Sequence, residues 1–557
     1  MRPAGFSSQK AGYYGIIIFG PNGQRKDDSM QLIDDLTIGK LLRDTASAYP
    51  DRPAMKTREQ SYTYRQLDDA VDLMARRLLA AGIKHGDHVG VLCETEPVTI
   101  ILFYALARIG AINILFNTSL KSDELAPLVS RSDTRVLIIG DGYKNIIFSE
   151  EVREIGPLCP ALEKVWFVGQ KHNFGFERLA EVEPASLEAL SAAEAAVKPQ
   201  DTAQILFTSG TTSVPKMVMG SQYARANCGR MQAKDLGATC EDVFLAALPT
   251  FHCFSLSVNV MASCAVGACL SLPVSRKTMV LLSAIQESKV TMLSCVPTLF
   301  FAMMNRADFS SWDVSTVKAG FIGGSPCTPA QFAAVEKAFG MTLLSSLGQT
   351  EATAGLTTSD LTDPLELRAS TLGHMMDFLE GKITDIRTGK DLKTGQVGEI
   401  CVRGYVVMQG YYKMPEETAK AIDKDGWLHT GDMGWFGDDG YLRLSGRIKD
   451  LIIRGGENIS PAEIESAALE DPQIADCRAI GVPDDHYGEE ICLCVILKRD
   501  SARNALEIKE ELEKKLAAFK VPRYILFMHS FPKNPTGKIL TKELKATALS
   551  KLHVDVK

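Results

Sequence analysis

The sequence predicts an α/β protein with a large N-terminal domain of helix-flanked, mostly parallel sheets and a small α+β C-terminal domain. Three observations support this fold class. From Leu32 onward, apolar stretches of strand length alternate with stretches of helical period, which is typical of a parallel sheet covered by helices. Between residues 383 and 412, five glycines separate short strands and indicate a small β-rich unit. After Gly446, a block of about 110 residues mixes both patterns.

Length and composition narrow the class of protein. A chain of 557 residues is too long for one core, and its length indicates roughly three or four domain-sized units. With 45% hydrophobic and 23% charged residues, it has an ordinary globular composition. The net charge of −7 argues against a general nucleic-acid binder. Its apolar runs fall short of the roughly 20 residues that span a bilayer. The 13 scattered cysteines form no C-x-x-C pair, which favours reduced thiols and a cytoplasmic location.

The elements of the large domain follow from local patterns. Residues 1–30 form a predicted N-terminal extension, to which we assign no function. Thr63 and Gln66 match a capping box, and the helix that follows them should end before Gly82. The remaining predictions are a buried helix at 100–109 and strands at 89–92, 112–116, 136–139, 291–296 and 317–322. The main domain boundary is placed at residues 446–450, which gives a large domain of residues 31–447 and a C-terminal domain of residues 448–557.

The loop from Thr208 to Lys216 is the first candidate site. It carries five hydroxyl side chains, one glycine and a lysine between two apolar strands. Clustered amide and hydroxyl donors form a concavity suited to an anion, and lysine adds a compact positive charge. The loop lacks the spacing of a P-loop. Taken in isolation, it is also compatible with a polar hairpin turn.

Four later segments carry further polar side chains. Thr350 and Glu351 follow an apolar run, and a hydroxyl beside a carboxylate is a suitable pair for Mg²⁺. Asp432 follows a Thr-Gly turn, where its carboxylate could accept two ribose hydroxyls. Arg447 is a second candidate for ribose or phosphate, and Lys538 lies in a loop restricted by proline and glycine. Each segment alone is equally compatible with a helix start, a turn or an exposed loop.

Taken together and in order, five segments resemble the adenylate-forming superfamily of acyl-CoA and aryl-CoA synthetases, adenylation domains and beetle luciferases. The segments are FTSGTTSVPK, SLGQTE, LHTGD, GRIKDLIIRGGENISPAEIE and PKNPTGKI. The resemblance covers residues 32–544. The segment GGENISPAEIE is most similar to the corresponding segment of medium-chain fatty-acid and aryl-acid CoA ligases.

The resemblance implies a two-step reaction. A carboxylate attacks the α-phosphorus of Mg·ATP, which gives an acyl-adenylate and pyrophosphate, and the thiol of coenzyme A then displaces AMP. It also implies a β-barrel-like subdomain and a mobile C-terminal domain that rotates about Lys449 between the two steps. The implied cofactors are ATP, Mg²⁺ and coenzyme A as co-substrate.

The resemblance also assigns residues to the nucleotide. The implied phosphate-binding residues are Thr208, Ser209, Gly210, Thr211, Thr212 and Lys216. The implied contacts to the rest of the nucleotide are Gly324, Ser325 and Pro326 beside the adenine, Gln349, and Asp432 and Arg447 on the ribose. Thr350 would contact a phosphate oxygen, Glu351 would hold Mg²⁺, and Lys538 would bridge the carboxylate and the α-phosphate in the first step.

The acyl and coenzyme A residues are implied in the same way. The implied acyl pocket contains Phe251, His252, Phe254, Gly323 and Gly348. Its apolar lining favours a fatty, aromatic or alicyclic monocarboxylic acid, although Arg225 and Arg230 on a nearby predicted helix leave an acidic substrate open. His252 matches a pocket-gating position, and a catalytic base is the alternative. The implied coenzyme A residues are Gly455, Gly456, Glu457, Tyr487, Phe519 and Lys520.

The predicted function is therefore an ATP-dependent carboxylate–CoA ligase. One alternative is an acyl-AMP ligase that loads a carrier protein, although the chain contains no carrier domain. Another is a non-catalytic nucleotide- or acyl-binding protein, against which the joint presence of Lys216, Glu351, Asp432 and Lys538 argues. The expected partners are small molecules, with no nucleic acid and no transmembrane segment, and a homodimer is one arrangement that the sequence allows.

Overall fold

The computed structural model describes residues 35–208, 215–325, 327–455, 457–499, 501–533 and 539–552. The predicted N-terminal extension, residues 1–30, lies outside these ranges. Within them, every helix is too short or too polar to cross a membrane.

The helices include those expected from local patterns. Thr63 and Gln66 form the predicted capping box, because each side chain satisfies a backbone N–H of the other residue. The helices are α1 Ile38–Ala48, α2 Tyr64–Ala80, α3 Pro97–Arg108, α4 Ser122–Arg131, α5 Phe148–Ile155, α6 Leu187–Ala196, α7 Gln222–Asp235, α8 Ala262–Val266, α9 Thr278–Ser288, α10 Pro297–Met304, α11 Pro329–Phe339, α12 Leu365–Ser370, α13 Pro415–Ala421, α14 Pro461–Leu469, α15 Ala505–Lys515 and α16 Thr541–Leu552.

The strands fall into several sheets. In chain order they are β1 Pro53–Lys56, β2 Ser61–Thr63, β3 His88–Leu92, β4 Ile112–Leu115, β5 Val136–Ile139, β6 Gly142–Tyr143, β7 Ile146–Ile147, β8 Lys164–Phe167, β9 Glu177–Arg178, β10 Thr202–Thr208, β11 Lys216–Ser221, β12 Val243–Leu245, β13 Cys269–Ser271, β14 Ala319–Ile322, β15 Thr342–Ser345, β16 Thr357–Thr358, β17 His374–Met375, β18 Leu379–Thr384, β19 Gly398–Gly404, β20 Gly410–Tyr411, β21 Leu428–Phe436, β22 Leu442–Arg447, β23 Ile452–Arg454, β24 Glu457–Ile459, β25 Ile474–Asp484, β26 Gly488–Leu497 and β27 Tyr524–Phe527.

The largest sheet has eight strands in the order β20-β11-β10-β4-β3-β5-β8-β9. Strands β10, β4, β3, β5 and β8 run parallel, whereas β11 and β20 add antiparallel pairs at one side. This confirms the predicted parallel sheet and places Thr208 at the carboxyl end of β10. Polar ligands of open α/β sheets bind at this edge.

A second region combines β12-β13-β1-β2 with the parallel pair β14-β15. The prediction of a strand at 291–296 is wrong, because this stretch makes only isolated bridges through Met292 and Cys295. The hydroxyl of Ser294 accepts the backbone N–H of Phe321 at 3.0 Å, so a side chain replaces one ladder hydrogen bond. A serine that competes in this way interrupts regular pairing.

The small β-rich unit is an open antiparallel sheet, β18-β19-β21-β22. The barrel-like form implied by the resemblance is therefore corrected: among the described residues, β18 and β22 occupy opposite edges and do not pair. Four strands are fewer than the five of even a small, partly open barrel. Strand β20 leaves this unit and joins the main sheet through β11, which brings Tyr411 to the candidate site.

The C-terminal strands form a separate sheet of order β24-β23-β26-β25, with β27 paired to β26. Helices α14 and α15 cover one apolar cluster and α16 covers another. The change from one sheet to the next falls between Arg447 and Ile452. It coincides with the predicted boundary at residues 446–450, and the division into domains stays a prediction.

Candidate active site

The phosphate-loop prediction falls between two paired strands. Strands β10 and β11 are antiparallel, and Thr208 lies directly opposite Lys216 in their register. The hairpin therefore sets a hydroxyl and an ammonium side by side at the end of the main sheet. The intervening candidates Ser209, Gly210, Thr211 and Thr212 lie outside the described residues.

Lys216 is held by two side chains from the far end of the large domain. Its Nζ atom lies 2.9 Å from Oε2 of Glu417 and 4.5 Å from the centroid of the Tyr411 ring. Lys420 and Lys216 together lower the pKa of Glu417 to about 2, so this carboxylate is ionised at neutral pH. The carboxylate of Glu417 therefore occupies the position beside Lys216 to which a phosphate group would be attracted.

Tyr411 connects Lys216 to the predicted metal ligand. Its hydroxyl donates to Oε1 of Glu351 at 2.9 Å, and burial raises the pKa of Tyr411 above its ordinary value. The backbone N–H of Met408 also donates to the carbonyl of Glu351 at 2.8 Å. Glu351 lies in a 3₁₀ turn, Thr350–Ala352. The structure thus brings Lys216 and Glu351 into one network through Tyr411, and Thr350 precedes Glu351 in the same turn.

Asp432 and Arg447 face each other across β21 and β22. The Nε atom of Arg447 lies 2.7 Å from Oδ1 of Asp432. Asp432 is only 2% exposed, and its burial raises its pKa while Arg447 opposes that effect. Its second oxygen, Oδ2, is buried without a hydrogen-bond partner among the described residues. An orphaned carboxylate oxygen costs about 1–3 kcal/mol or more, so the site is suited to a hydroxyl donor.

The expected adenine segment contains a constrained glycine. Gly324 has φ +83°, a conformation that favours glycine, and Ser325 follows it. Pro326 lies outside the described residues. The amide Nε2 of Gln349 is buried with no acceptor among the described residues. An unpaired amide donor is therefore available to a polar ligand beside Thr350.

The predicted acyl residues lie next to the same turn. The rings of Phe251 and His252 are tilted against each other at 4.7 Å between centroids. Phe251 and Phe254 pack on the main apolar cluster, just before a π-helical segment, Ser255–Met261. A Cβ atom at Gly348 would lie 1.5 Å from the carbonyl oxygen of Ala354, so only glycine fits there. A Cβ at Gly323 would only approach a backbone oxygen at 3.5 Å.

Arg225 is a fully buried cation behind this pocket, on α7. Its Nη1 atom donates to the carbonyls of Cys253 at 3.2 Å and Thr353 at 2.7 Å, and to the Ser257 hydroxyl. Burial lowers its pKa. These contacts tie the start of the acyl pocket to the turn that carries Glu351. Arg230, on the same helix, contacts Asn227 at 3.3 Å.

The predicted coenzyme A residues surround the C-terminal sheet. Gly455 has φ +59° and its N–H donates to the carbonyl of Tyr487 at 2.9 Å. The guanidinium of Arg454 lies 4.1 Å from the Tyr487 ring centroid. Both residues line a cavity of about 470 Å³ that also contains Lys509 and Arg523.

The other predicted coenzyme A residues are exposed, paired with another side chain or outside the described residues. Glu457 and Phe519 are exposed, whereas Lys520 is paired with Glu463 at 2.6 Å. The predicted hinge residue Lys449 is exposed in a 3₁₀ turn, Ile448–Asp450. Gly456 and Lys538 lie outside the described residues.

Sequence reasoning missed Tyr411 and Glu417. They come from β20 and α13, about two hundred residues beyond Lys216. The pair Gly410-Tyr411 follows a glycine-punctuated stretch, which was a usable signal for a special backbone position. Glu417 lies in an ordinary charged helix start, so only the folded structure associates it with the site.

Comparison of folds defines the class of protein. The structure resembles the anthranilate CoA ligase AuaEII in complex with anthranoyl-AMP, with a TM-score of 0.84 and 25% identity over 94% of this chain and 99% of that chain. It also resembles ATP-bound MatB from Rhodopseudomonas palustris, with a TM-score of 0.79 and 24% identity over 92% of this chain and 99% of that one. The second likeness shows the fold alone. The protein has the fold of adenylate-forming enzymes.

Sequence comparison then identifies the family. Residues 42–412 match the AMP-binding enzyme family, and residues 463–538 match its C-terminal domain. The putative acyl-CoA synthetase YngI of Bacillus subtilis is 34% identical over 93% of this chain and 98% of its own length. The mitochondrial medium-chain acyl-CoA ligase ACSF2 of Bos taurus is 32% identical over 92% and 88%. The chain belongs to the AMP-binding enzyme family and is an ATP-dependent, AMP-forming acid–CoA ligase.

Proposed function

We propose that this enzyme activates an apolar monocarboxylic acid, with Asp432 and Arg447 on the ribose and Lys216 on the phosphates. The observation that carries the proposal is the buried, partnerless Oδ2 of Asp432, which a ribose hydroxyl would satisfy. Arg447 already neutralises the carboxylate at 2.7 Å. The ribose therefore gains a charge-assisted hydrogen bond without creating a new buried charge.

In the first step, an oxygen of the substrate carboxylate bonds to the α-phosphorus, and the bond from that phosphorus to the bridging oxygen breaks. Pyrophosphate leaves with the electron pair. Both reactants are anions, so positioned cations and donors supply most of the assistance. Lys216, Thr208 and the loop between them would hold the leaving group, and Lys538 would bridge the two anions.

Glu351 is the proposed Mg²⁺ ligand, with Thr350 beside it. A hard carboxylate oxygen suits this ion, which usually takes one or two protein carboxylates and the substrate phosphates. The fit is supported by the hydrogen bond from Tyr411 to Oε1 at 2.9 Å, which fixes the carboxylate's orientation. When bound, Mg²⁺ would neutralise phosphate charge.

The acid is proposed to be fatty, aromatic or alicyclic and to carry no second charge. Phe251 and Phe254 are partly buried and pack against the main apolar cluster, so they would give the pocket an apolar lining. Arg225, which could have bound a second carboxylate, directs Nη1 at protein oxygens from Cys253, Ser257 and Thr353. His252 is proposed as a gate beside Phe251.

Coenzyme A is proposed to approach along the C-terminal surface of Gly455, Glu457, Tyr487 and Phe519. The cavity beside Tyr487 is lined by the cations Arg454, Lys509 and Arg523 and by the carboxylates Glu490 and Glu513. Lys509 would be the cation that contacts a phosphate group, because Arg454 and Arg523 are paired with Glu490 and Asp484. In the second step the coenzyme A thiolate bonds to the acyl carbon and AMP leaves. Rotation of residues 448–557 about Lys449 would move Lys538 out of the active site and bring this surface into it.

A panel of short, medium, aromatic and alicyclic acids tests the function. We expect pyrophosphate release that depends on acid, followed by a thioester that depends on coenzyme A. A dicarboxylic acid of matched length serves as the control for charge. Acid-dependent pyrophosphate release with transfer only to a carrier protein would favour the acyl-AMP ligase, and no release with any acid would contradict the proposal.

The compartment is proposed to be reducing, and the cytoplasm is our first choice. All 13 cysteines are free thiols, and most of them are buried. Fluorescence of the tagged full-length chain in its host would test the location.

A further inference from the structure

A cluster of three metal-binding side chain types lies outside the proposed catalytic groups, on the small antiparallel sheet. Cys401 on β19 lies directly opposite His429 on β21, and Glu399 precedes Cys401 by two residues on the same strand. The Nδ1 atom of His429 lies 3.5 Å from Sγ of Cys401 and 2.8 Å from Oε2 of Glu399. The three donor atoms all lie within 4.8 Å of one another.

We propose that Glu399, Cys401 and His429 bind a divalent ion of the zinc class, and that its binding loosens the turn before Asp432. Zinc takes sulfur at about 2.3 Å and nitrogen or oxygen at about 2.0–2.2 Å in tetrahedral geometry. These lengths separate neighbouring ligand atoms by roughly 3.3–3.6 Å. The 3.5 Å between Sγ and Nδ1 meets that spacing without rearrangement.

The ligand chemistry selects the ion. A thiol that ionises on coordination favours zinc, cobalt or cadmium over Mg²⁺, which prefers oxygen ligands. On binding, the Cys401 thiol would release its proton to the solvent. The fourth position would be open to water, because three protein ligands leave a tetrahedral ion incomplete.

The cluster is partly exposed and has a second carboxylate beside it, so a cation can reach it from solvent and is attracted to it. The side chains of His429 and Glu399 are 28% and 14% exposed, although Cys401 is buried. A second carboxylate, Asp423, has its Oδ2 atom 3.7 Å from Nε2 of His429. The neighbouring ammonium of Lys382 is engaged by Asp391 at 2.9 Å.

Glu399 links this cluster to the segment before Asp432, and the coupling rests on the proposed function, in which Asp432 binds the ribose. Its Oε1 atom accepts the N–H of Gly431 at 3.0 Å, and Gly431 has φ +71° immediately before Asp432. The 2.8 Å between Nδ1 and Oε2 is a hydrogen-bond length, so a metal between them must push Oε2 outward by roughly half an ångström. The same carboxylate would then lose part of its hold on Gly431.

Cobalt titration of the chelator-treated, full-length protein tests the site. We expect one equivalent of Co²⁺ to produce a sulfur-to-metal charge-transfer band, with zinc displacing it. Substitution of a residue that only hydrogen-bonds to a metal ligand already lowers metal affinity roughly 10–100-fold. Substitution of a ligand itself should lower it at least as much. C401S should therefore abolish the band, and H429Q should weaken binding at least tenfold. C240S, which changes a partly exposed cysteine on another part of the chain, is the matched control and should behave as wild type.

Adenosine binding tests the coupling, because adenosine presents a ribose and has no phosphate to chelate the metal. We expect one equivalent of zinc to weaken adenosine binding several-fold in wild type and to leave C401S unchanged. Melting curves without metal show whether C401S is folded, and E399Q provides a second variant should it not be. A charge-transfer band that persists in C401S, or equal zinc effects in wild type and C401S, would overturn the proposal.

Discussion

The nucleotide side and the acyl side of the candidate active site are built differently. On the nucleotide side, charged side chains hold one another: Lys216 pairs with Glu417, 201 residues later, at 2.9 Å, and Arg447 pairs with Asp432 on the neighbouring strand at 2.7 Å. On the acyl side, Phe251 and its neighbours present apolar surface. The first side therefore holds its charges in place before any ligand binds, whereas the second is proposed to select the acid by shape.

This difference has an energetic consequence. Asp432 is buried, and a buried charge without a partner is expensive, so this carboxylate keeps Arg447 as its partner when ATP is absent. If Lys216 binds a phosphate as proposed, ATP displaces Glu417 from it. An apolar pocket gains free energy in proportion to the area that the acid covers, about 25 cal/mol per Å². Mutations on the two sides should accordingly affect different kinetic parameters.

The largest effect is expected from K538A. Because Lys538 is proposed to bridge the carboxylate and the α-phosphate, its loss should lower adenylate formation by roughly a thousandfold, as for other preorganised charge stabilisers. Thioester formation from supplied acyl-adenylate should be largely unchanged. Single-turnover assays of each step measure the two rates separately. Equal loss in both would contradict the rotation of the C-terminal domain.

The next largest effect is expected from D432N. The amide keeps the shape but loses the charge that Arg447 and the ribose share, and charge-assisted hydrogen bonds contribute about 1.5–3 kcal/mol. We expect the KM for ATP to rise roughly 10–100-fold with little change in the KM for the acid. D439N is the matched control, because Asp439 lies in the turn that joins the same two strands and pairs with Arg443 of β22 at 2.6 Å, but is more exposed. A similar rise in both variants would point to a sheet defect.

Much of the nucleotide side could be predicted from the sequence, because its residues lie in short contiguous segments. The capping box of α2 and the parallel strands follow from local patterns, and the resemblance of their motifs assigned Asp432 and Arg447 to the same ribose. What could not be predicted depends on pairing across long separations. Glu417 reaches Lys216 over 201 residues, and no local pattern encodes that contact.

Two further features that the sequence did not predict also depend on pairing between strands. Residues 291–296 are apolar enough for a strand, but the hydroxyl of Ser294 takes an N–H of the neighbouring strand. The facing positions of Cys401 and His429 depend on the register of β19 and β21, which includes a shift between Glu399 and Cys401. A register set by an irregularity is not visible in the alternation of residue types.

A smaller effect of opposite sign is expected from E417Q. Removing the charge frees Lys216 from its protein anion, so the KM for ATP should fall by roughly two- to fivefold, the range of an exposed ion pair. E416Q, one residue earlier on the same helix, is the control and should leave the KM unchanged. Isothermal titration with a non-hydrolysable ATP analogue measures the affinity directly. Weaker binding in E417Q would mean that Glu417 assists the nucleotide instead of competing with it.

The smallest effect on nucleotide binding is expected on the acyl side, from F251A. The lost ring enlarges the pocket, and each buried methylene of a longer or bulkier acid is worth about 0.8 kcal/mol. We therefore expect kcat/KM to shift roughly fourfold per added methylene toward larger acids, with the KM for ATP unchanged. Competition between a pair of acids that differ by one methylene measures the shift in one tube. A rise in the KM for ATP with an unchanged preference between acids would contradict the expectation that the two sides control different kinetic parameters.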